Sequence, residues 1–230
     1  MKKMWMMVLA GAFAAGLVRA EEPPRVFALA TAGDVEFELA ERIRNYLEEY
    51  TGAAVRFTEP VDLAEDGNLE VTGRAAAETL KDDEFGIVVL ARPTTDQPQG
   101  ICLPHERFGI LNLTRLGQDV EEDRLVRRAG QDGLRVMSML VGMSPCPFPL
   151  CVLTYFNQTE DLDMMSGNFC PPCQDRFTRL AREEGILLID REARAAAAVA
   201  AGPVEAGAPE DPDAPPAEAI PMPEPEPAAP

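Results

Sequence analysis

The sequence predicts a mixed α/β domain, in which helices pack on a twisted sheet and a cysteine-rich segment follows the last long helix. Short apolar runs rich in β-branched residues alternate with amphipathic stretches at helical spacing. One run, Phe85–Ala91, is almost continuously apolar, and four of the five cysteines lie between residues 146 and 173. Because 46% of the 230 residues are apolar, the chain can bury one core.

The first half of the chain alternates strand and helix patterns. Arg25–Thr31 is a short apolar run that predicts a strand. A helix is predicted over Val35–Tyr50, with Gly52 as its C-terminal stop. Ala54–Thr58 predicts a second strand, and a short helix near Gly73–Leu80 follows an acidic loop.

A buried strand and a hairpin come next. The run Phe85–Ala91 predicts a central strand that is buried on both faces. Two short strands, Gly100–Leu103 and Phe108–Leu113, flank the segment Pro104–Glu106 and predict a hairpin at or near a sheet edge.

The last elements are helical. A long helix is predicted over Val120–Val141, because Asp119 and two glutamates open it and Gly142 closes it. Helical periodicity then disappears until a final helix near Gln174–Glu184, which a short apolar run, Ile186–Ile189, follows.

The two ends of the chain differ from its middle. Two lysines, an apolar run and a small-x-small site ending at Ala20 predict a signal peptide over residues 1–20, and hence export to a periplasm or a medium. Residues 21–190 form the predicted domain, and residues 191–230 an Ala-rich, then Pro/Glu-rich, disordered tail. The net charge of −18 argues against a nucleic-acid partner, and we expect no stable membrane insertion after signal removal.

The cysteine spacing predicts one metal site. Cys146 and Cys151 form one close pair, and Cys170 and Cys173 form a second pair after eighteen intervening residues. Such pairs wrap a chain around one structural zinc ion. Two disulfides are the alternative in an oxidising compartment, and a redox-active Cys-x2-Cys is a third. Cys102 belongs to neither pair, and its place in an apolar run predicts a small, buried apolar residue.

With its flanks, this segment resembles the archaemetzincins, zinc metallopeptidases in which His-Glu-x-x-His-x-x-Gly-x-x-His-Cys precedes a Cys-x4-Cys and a later Cys-x2-Cys. The first of the four cysteines ends the family's segment, so Cys146 fixes the register. In that register Gly142 matches the glycine, whereas the three zinc-binding histidines correspond to Arg135, Met139 and Pro145. None of the three can replace an imidazole ligand.

The resemblance therefore implies a zincin-like fold with a degenerate catalytic site. The general-base glutamate corresponds to Val136, and the methionine beneath the family's active site corresponds to Leu153. A relocated three-histidine site is excluded because His105 is the only histidine. The one zinc expected is structural, and its expected ligands are the four cysteines.

The same resemblance implies a peptide- or protein-binding module. In the family the edge strand before the active-site helix borders the substrate cleft. The matching segment here, Phe108–Asn112, is therefore expected to be an exposed edge that can accept an extended peptide, with Phe108, Ile110 and Asn112 as candidate contacts.

Two alternatives stay open at the level of sequence. One is an active metallopeptidase, aminopeptidase or other hydrolase built on a different constellation, such as His105 with Glu106 or Cys102 with His105. The other is a structural envelope protein that carries an acidic tail.

Overall fold

The computed structural model describes residues 23–190, which form a layered α/β domain. The predicted signal peptide, residues 1–20, and the predicted tail, residues 191–230, lie outside the described residues. The helices and strands in chain order are β1 (Val26–Ala32), α1 (Phe37–Thr51), β2 (Val55–Phe57), α2 (Leu69–Glu78), β3 (Glu84–Ala91), β4 (Gly100–Leu103), β5 (Phe108–Asn112), α3 (Leu113–Leu116), α4 (Glu122–Leu140), α5 (Asp161–Met164) and α6 (Pro171–Glu183). A 3₁₀ turn, Pro104–Glu106, joins β4 to β5.

The strands form one mixed sheet in the order β2-β1-β3-β5-β4. β1 pairs in parallel with β2 and with β3, and β3 pairs in parallel with β5. Only β4 runs antiparallel, as the outer partner of β5 in a hairpin. The predicted α/β class with a mixed sheet is confirmed, and β4 is one of its edges.

The sheet is covered on both faces, which explains the apolar run of β3. Val88 and Leu90 face the larger cluster formed with α1, α4 and α6. Ile87, Val89 and Ala91 alternate with them and face the smaller cluster beneath α2. Successive side chains of a strand point to opposite faces, so a strand covered on both sides has to be apolar throughout.

Two glycines allow α4 to approach α1 closely. A Cβ atom at Gly130 would lie 2.3 Å from the ring of Tyr46, and one at Gly133 would lie 2.7 Å from a methyl group of Leu47. Since real Cβ atoms do not come that close, only glycine permits this packing at both positions.

Most of the predicted boundaries agree with the structure to within two residues. α2 begins earlier than predicted, because the side chain of Asn68 caps it by accepting hydrogen bonds from the N–H groups of Glu70 and Val71. α6 also begins earlier, at Pro171, since proline is tolerated in the first turn of a helix.

The prediction that Phe108–Asn112 forms an exposed edge is wrong. This strand, β5, lies between β3 and β4, so both of its edges are paired. Phe108 and Ile110 are 0% exposed and Asn112 is 2% exposed, so none of the three can contact a peptide. The hairpin was predicted, but the sequence does not show which of its strands lies inside the sheet. Of the two hairpin strands, β4 is the one at an edge of the sheet.

Among residues 23–190, no helix has the length and apolar character needed to cross a membrane.

Candidate functional site

The carboxyl half of α4 carries the positions where the family has its zinc ligands. Arg135 and Met139 lie one helical turn apart on α4, and both line the same small cavity as Pro145. After α4 the chain turns sharply at Gly142, whose φ of 82° is unfavourable for any residue with a side chain. The structure therefore brings together the three residues that the sequence register aligns with the family's zinc-binding histidines.

The cavity at these positions is small, and the side chains of Arg135, Met139 and Pro145 are not among the usual ligands of a catalytic zinc ion. The cavity that they line measures about 10 Å³, and Leu153 also lines it. A single water molecule needs at least that volume, and a zinc ion with its water needs more. Guanidinium, thioether and proline side chains do not match the nitrogen, thiolate and carboxylate ligands of catalytic zinc sites. Val136, at the position of the general base, packs against Gly109 of the sheet.

The guanidinium of Arg135 ties α4 to the loop that follows Cys151. Its Nη1 donates hydrogen bonds to the carbonyl oxygens of Val152, at 2.8 Å, and of Thr154, at 2.5 Å. Its central carbon lies 4.6 Å from the centroid of the Phe156 ring, a cation–π contact. A fixed positive charge thus lies beside the vacated position.

A buried carboxylate accompanies this arginine. Asp132 is 9% exposed and lies one turn before Arg135, with Oδ1 at 3.9 Å from Nε of the arginine. The side-chain amide of Gln99 donates a long hydrogen bond of 3.5 Å to Oδ2. Burial raises the pKa of Asp132 to about 6, and the attraction of Arg135 and the bond from Gln99 only partly oppose that shift. Asp132 was not predicted as a site residue from the sequence. Its position three residues before Arg135 on the predicted helix, where the two side chains can meet, was a signal that could have identified it.

A cleft of about 330 Å³ opens between β4 and α4. Asp132, Arg135, Val136 and Met139 line it from α4, while Phe156 and other residues complete its wall. The lining residues from the edge of the sheet are Gln99, Gly100, Ile101 and Cys102. The cleft therefore runs alongside an exposed strand edge.

The register of the hairpin shows which backbone groups of β4 face away from the sheet. The N–H of Asn112 donates to the carbonyl oxygen of Gln99, and Ile101 is the residue opposite Ile110. Antiparallel pairs alternate between hydrogen-bonded and non-hydrogen-bonded, so the N–H and C=O groups of Gly100 and Cys102 point outward. These four groups make no hydrogen bond within residues 23–190.

The alternative catalytic groups are poorly arranged for chemistry. The side chain of His105 is 74% exposed, and its Nε2 lies 3.4 Å from the carboxylate of Glu106. Arg74 donates two hydrogen bonds to that carboxylate and holds the pKa of Glu106 below its usual value, which makes it a weak base. Burial raises the pKa of Cys102 to about 12, so this residue is a thiol rather than a nucleophilic thiolate.

The four remaining cysteines form one compact cluster. The sulfur atoms of Cys146, Cys151, Cys170 and Cys173 all lie within 4.8 Å of one another. Sγ of Cys146 is 3.9 Å from Sγ of Cys170, far beyond a disulfide bond. Four sulfurs bound tetrahedrally to zinc at about 2.3 Å are separated by about 3.8 Å. The cluster can therefore hold one zinc ion.

The surroundings of the cluster also suit a metal. Backbone N–H groups of Phe148 and Cys170 donate to the sulfurs of Cys146 and Cys151, both at 3.4 Å. Such bonds stabilise thiolates and orient them toward a metal. Burial raises the pKa of Cys173, and hydrogen bonds with Cys170 and Cys146 raise it further. Binding of zinc to such a site requires deprotonated thiols, so it is coupled to the release of their protons.

Solved archaemetzincin structures share this fold. The archaemetzincin of Methanopyrus kandleri aligns with a TM-score of 0.57 at 18% identity, over 71% of this chain and 99% of its own. The chain has an archaemetzincin fold. The archaemetzincin of Archaeoglobus fulgidus, complexed with malonate, aligns with a TM-score of 0.54 at 15% identity, over 66% of this chain and 99% of its own. A zinc-dependent peptidase of Methanocorpusculum labreanum also gives 0.54, at 16% identity, over 66% of this chain and 99% of its own.

Curated relatives give the same family name. The archaemetzincin of Pyrobaculum aerophilum is 28% identical over 81 residues, which are 35% of this chain and 50% of the relative. The archaemetzincin of Pyrococcus abyssi is 29% identical over 79 residues, 32% of this chain and 42% of the relative. The chain spans about half the length of the curated relatives that it matches. No protein-family model matches it. The resemblance to archaemetzincins is confirmed in fold and in these sequence matches.

Proposed function

We propose that this chain is an archaemetzincin-like protein that binds an extended peptide along β4 without hydrolysing it, and that its four-cysteine cluster holds one structural zinc ion. The observation that carries this proposal is the site at the end of α4. There Arg135, Met139 and Pro145 surround a cavity of about 10 Å³.

The absence of hydrolysis follows from the chemistry of that site. Peptide hydrolysis by a zincin requires an activated water and a base that accepts its proton. Met139 and Pro145 offer no zinc ligand of the usual kinds, and the aliphatic Val136 accepts no proton. α4 does not supply other zinc ligands in their place either. Its buried carboxylate, Asp132, forms an ion pair with Arg135.

Peptide binding is supported by the edge of the sheet. Gly100 and Cys102 present two unused N–H groups and two unused C=O groups. An added strand can pair with such an edge, as in peptide-binding domains that extend a sheet. The cleft of about 330 Å³ beside β4 has room for at least one side chain of that strand.

A proline at position 102 tests the binding mode. Cys102→Pro removes the outward N–H while keeping the bonds between β4 and β5, since proline is tolerated on edge strands. Cys102→Ala keeps the N–H and is the matched control. With a fluorescent peptide mixture on the mature protein, we expect Cys102→Ala to bind like the wild type and Cys102→Pro to bind at least tenfold more weakly. Equal binding by both variants would refute pairing with β4.

Peptidase assays on the same preparation test the absence of hydrolysis. We expect no cleavage of a quenched fluorescent peptide library, with or without added zinc. Cleavage that EDTA abolishes and zinc restores would overturn this part of the proposal. Metal analysis with thiol titration tests the zinc site: one zinc and four protected thiols are expected, whereas two disulfides and no metal would refute it.

Export is a further part of the proposal. The first 20 residues have the composition of a signal peptide, and the expected mature protein begins at Glu21. Mass spectrometry of the protein recovered from outside the cytoplasm checks this, because an intact N-terminus would contradict cleavage.

A further inference from the structure

Two charged side chains, those of Asp132 and Arg135, lie beside each other in the cleft at β4. Each has one polar atom that makes no hydrogen bond within the described residues. Oδ1 of Asp132 lies 3.9 Å from Nε of Arg135 and accepts no hydrogen bond within residues 23–190. Nη1 of Arg135 is occupied by two carbonyl oxygens, whereas its Nη2 donates to none of the described residues. An acceptor and a donor without partners among the described residues therefore belong to two side chains that are 12% and 14% exposed and line one cavity.

We infer that this cavity binds a primary carboxamide, the side chain of a glutamine or asparagine in the peptide that pairs with β4. The amide nitrogen donates to Oδ1 of Asp132, and the amide oxygen accepts from Nη2 of Arg135. This inference rests on the proposed peptide binding and names the residue type that the site selects.

The charges of the cavity decide between a carboxamide and a charged group. A carboxylate that approaches Arg135 also approaches Asp132, and an ammonium that approaches Asp132 also approaches Arg135. Each would gain one favourable contact and suffer one repulsion, at a place where burial strengthens both. A neutral carboxamide satisfies both partners and adds no net charge to the cleft.

No other charge in the cavity changes this balance. Among its lining residues Gln99 and Asn157 are neutral amides, and burial raises the pKa of Cys102 to about 12, so that thiol is neutral as well. Val136, Met139 and Phe156 supply apolar wall for the methylene groups of a glutamine side chain.

The protein's own contacts show that an amide fits this carboxylate. The side-chain nitrogen of Gln99 already donates to Oδ2 of Asp132, and its oxygen accepts from the hydroxyl of Thr159 at 2.8 Å. Gln99 thus occupies one oxygen of the carboxylate and leaves the other facing Arg135. Gly100 places no side chain between β4 and Asp132, so a ligand can approach from the edge strand.

A peptide series with one variable position tests the inference. Each peptide is a pentapeptide of alanines with an acetyl group and an N-methylamide at its ends, so that the only primary carboxamide is the central side chain. The central residue is glutamine, glutamate, lysine or methionine. Calorimetry or anisotropy on the mature wild-type protein should show that the glutamine peptide binds at least tenfold more tightly than each of the others.

Two variants of α4 complete the test. Asp132→Leu removes the acceptor but keeps the approximate volume of the side chain, and we expect glutamine and methionine peptides to bind this variant within twofold of each other. Asp123→Leu makes the same change at an exposed position of the same helix and should keep the full preference. Circular dichroism establishes that both variants fold.

The outcomes separate this inference from the proposed function. Similar affinities for all four peptides, or tightest binding of the glutamate or lysine peptide, would overturn carboxamide recognition and leave peptide binding intact. A glutamine preference that persists in Asp132→Leu would also overturn it. If no peptide of the series and no peptide mixture binds, both proposals fail.

Discussion

Replacing Asp132 by asparagine should change how the stability of the domain depends on pH. The carboxyl group is buried between α4 and the start of β4, and burial raises its pKa from the ordinary 3.8 to about 6. The native state therefore binds this proton more tightly than the unfolded chain does. Stability that depends on this group is greatest at low pH and falls as the pH rises from about 4 to about 6.

The magnitude follows from the two pKa values. A shift of about 2 units corresponds to about 3 kcal/mol between full protonation and full ionisation. Between pH 5.0 and pH 7.5 the linkage relation assigns about 1.4 kcal/mol of this loss to Asp132, because the unfolded carboxyl is already largely ionised at pH 5.0. The asparagine variant has no carboxyl group at this position, so its free energy of unfolding does not include that loss.

Urea denaturation of both proteins at the two pH values measures this difference. The free energy of unfolding of Asp132→Asn, relative to the wild type, should increase by about 1.4 kcal/mol from pH 5.0 to pH 7.5, or about 3–6 °C in Tm. Asp123→Asn, whose side chain is 91% exposed, serves as the matched control and should show no such change. A pH-independent difference for Asp132→Asn would refute the assignment of a raised pKa to this buried carboxyl.

Three further predictions concern the metal cluster and the core. Cys151→Ser removes a buried ligand, so the zinc measured by mass spectrometry should fall below one per chain; full retention would contradict the assignment. In Gly73→Ala, the new Cβ would lie 2.2 Å from the ring of Phe108, and urea denaturation should show a loss of about 1–3 kcal/mol. Asp163→Ala leaves the guanidinium of Arg128, whose side chain is 4% exposed, without the carboxylate that binds it through two hydrogen bonds. The expected loss is about 2–3 kcal/mol, and adding Arg128→Met should restore part of it; no restoration would argue against an uncompensated charge as the cause.

Many of the strands and helices, and the cysteine cluster, could be predicted from the sequence because they depend on local patterns. Apolar periodicity predicted the strands and helices of the sheet layer to within a few residues, with Gly52 adopting a φ of 70° at the end of α1 as expected. The spacing of four cysteines predicted one cluster, since two close pairs can meet at one point. Counting back from Cys146 assigned Arg135, Met139 and Pro145 to the positions of the family's three zinc ligands, and all three line one cavity.

The pairing partners of strands were not predictable in the same way. β5 was expected to be an exposed edge, but β4 folds back and covers it. An apolar strand in an interior position and one at an edge can have the same sequence pattern, because edge status depends on which distant strand arrives beside it. The candidate peptide-binding strand is therefore β4 and not β5.

The sequence by itself determined the class of fold, the cysteine cluster and the residue types at positions 135, 139 and 145, since each depends on residue type and spacing along the chain. Only the tertiary structure decided that β4 lies at an edge of the sheet, that Arg135, Met139 and Pro145 line a cavity of about 10 Å³ and that Asp132 lies beside Arg135 in the cleft. These features arise where α4, the hairpin and the loop after Cys151 meet. Burial and charge at such a meeting point depend on long-range packing, which no local pattern contains.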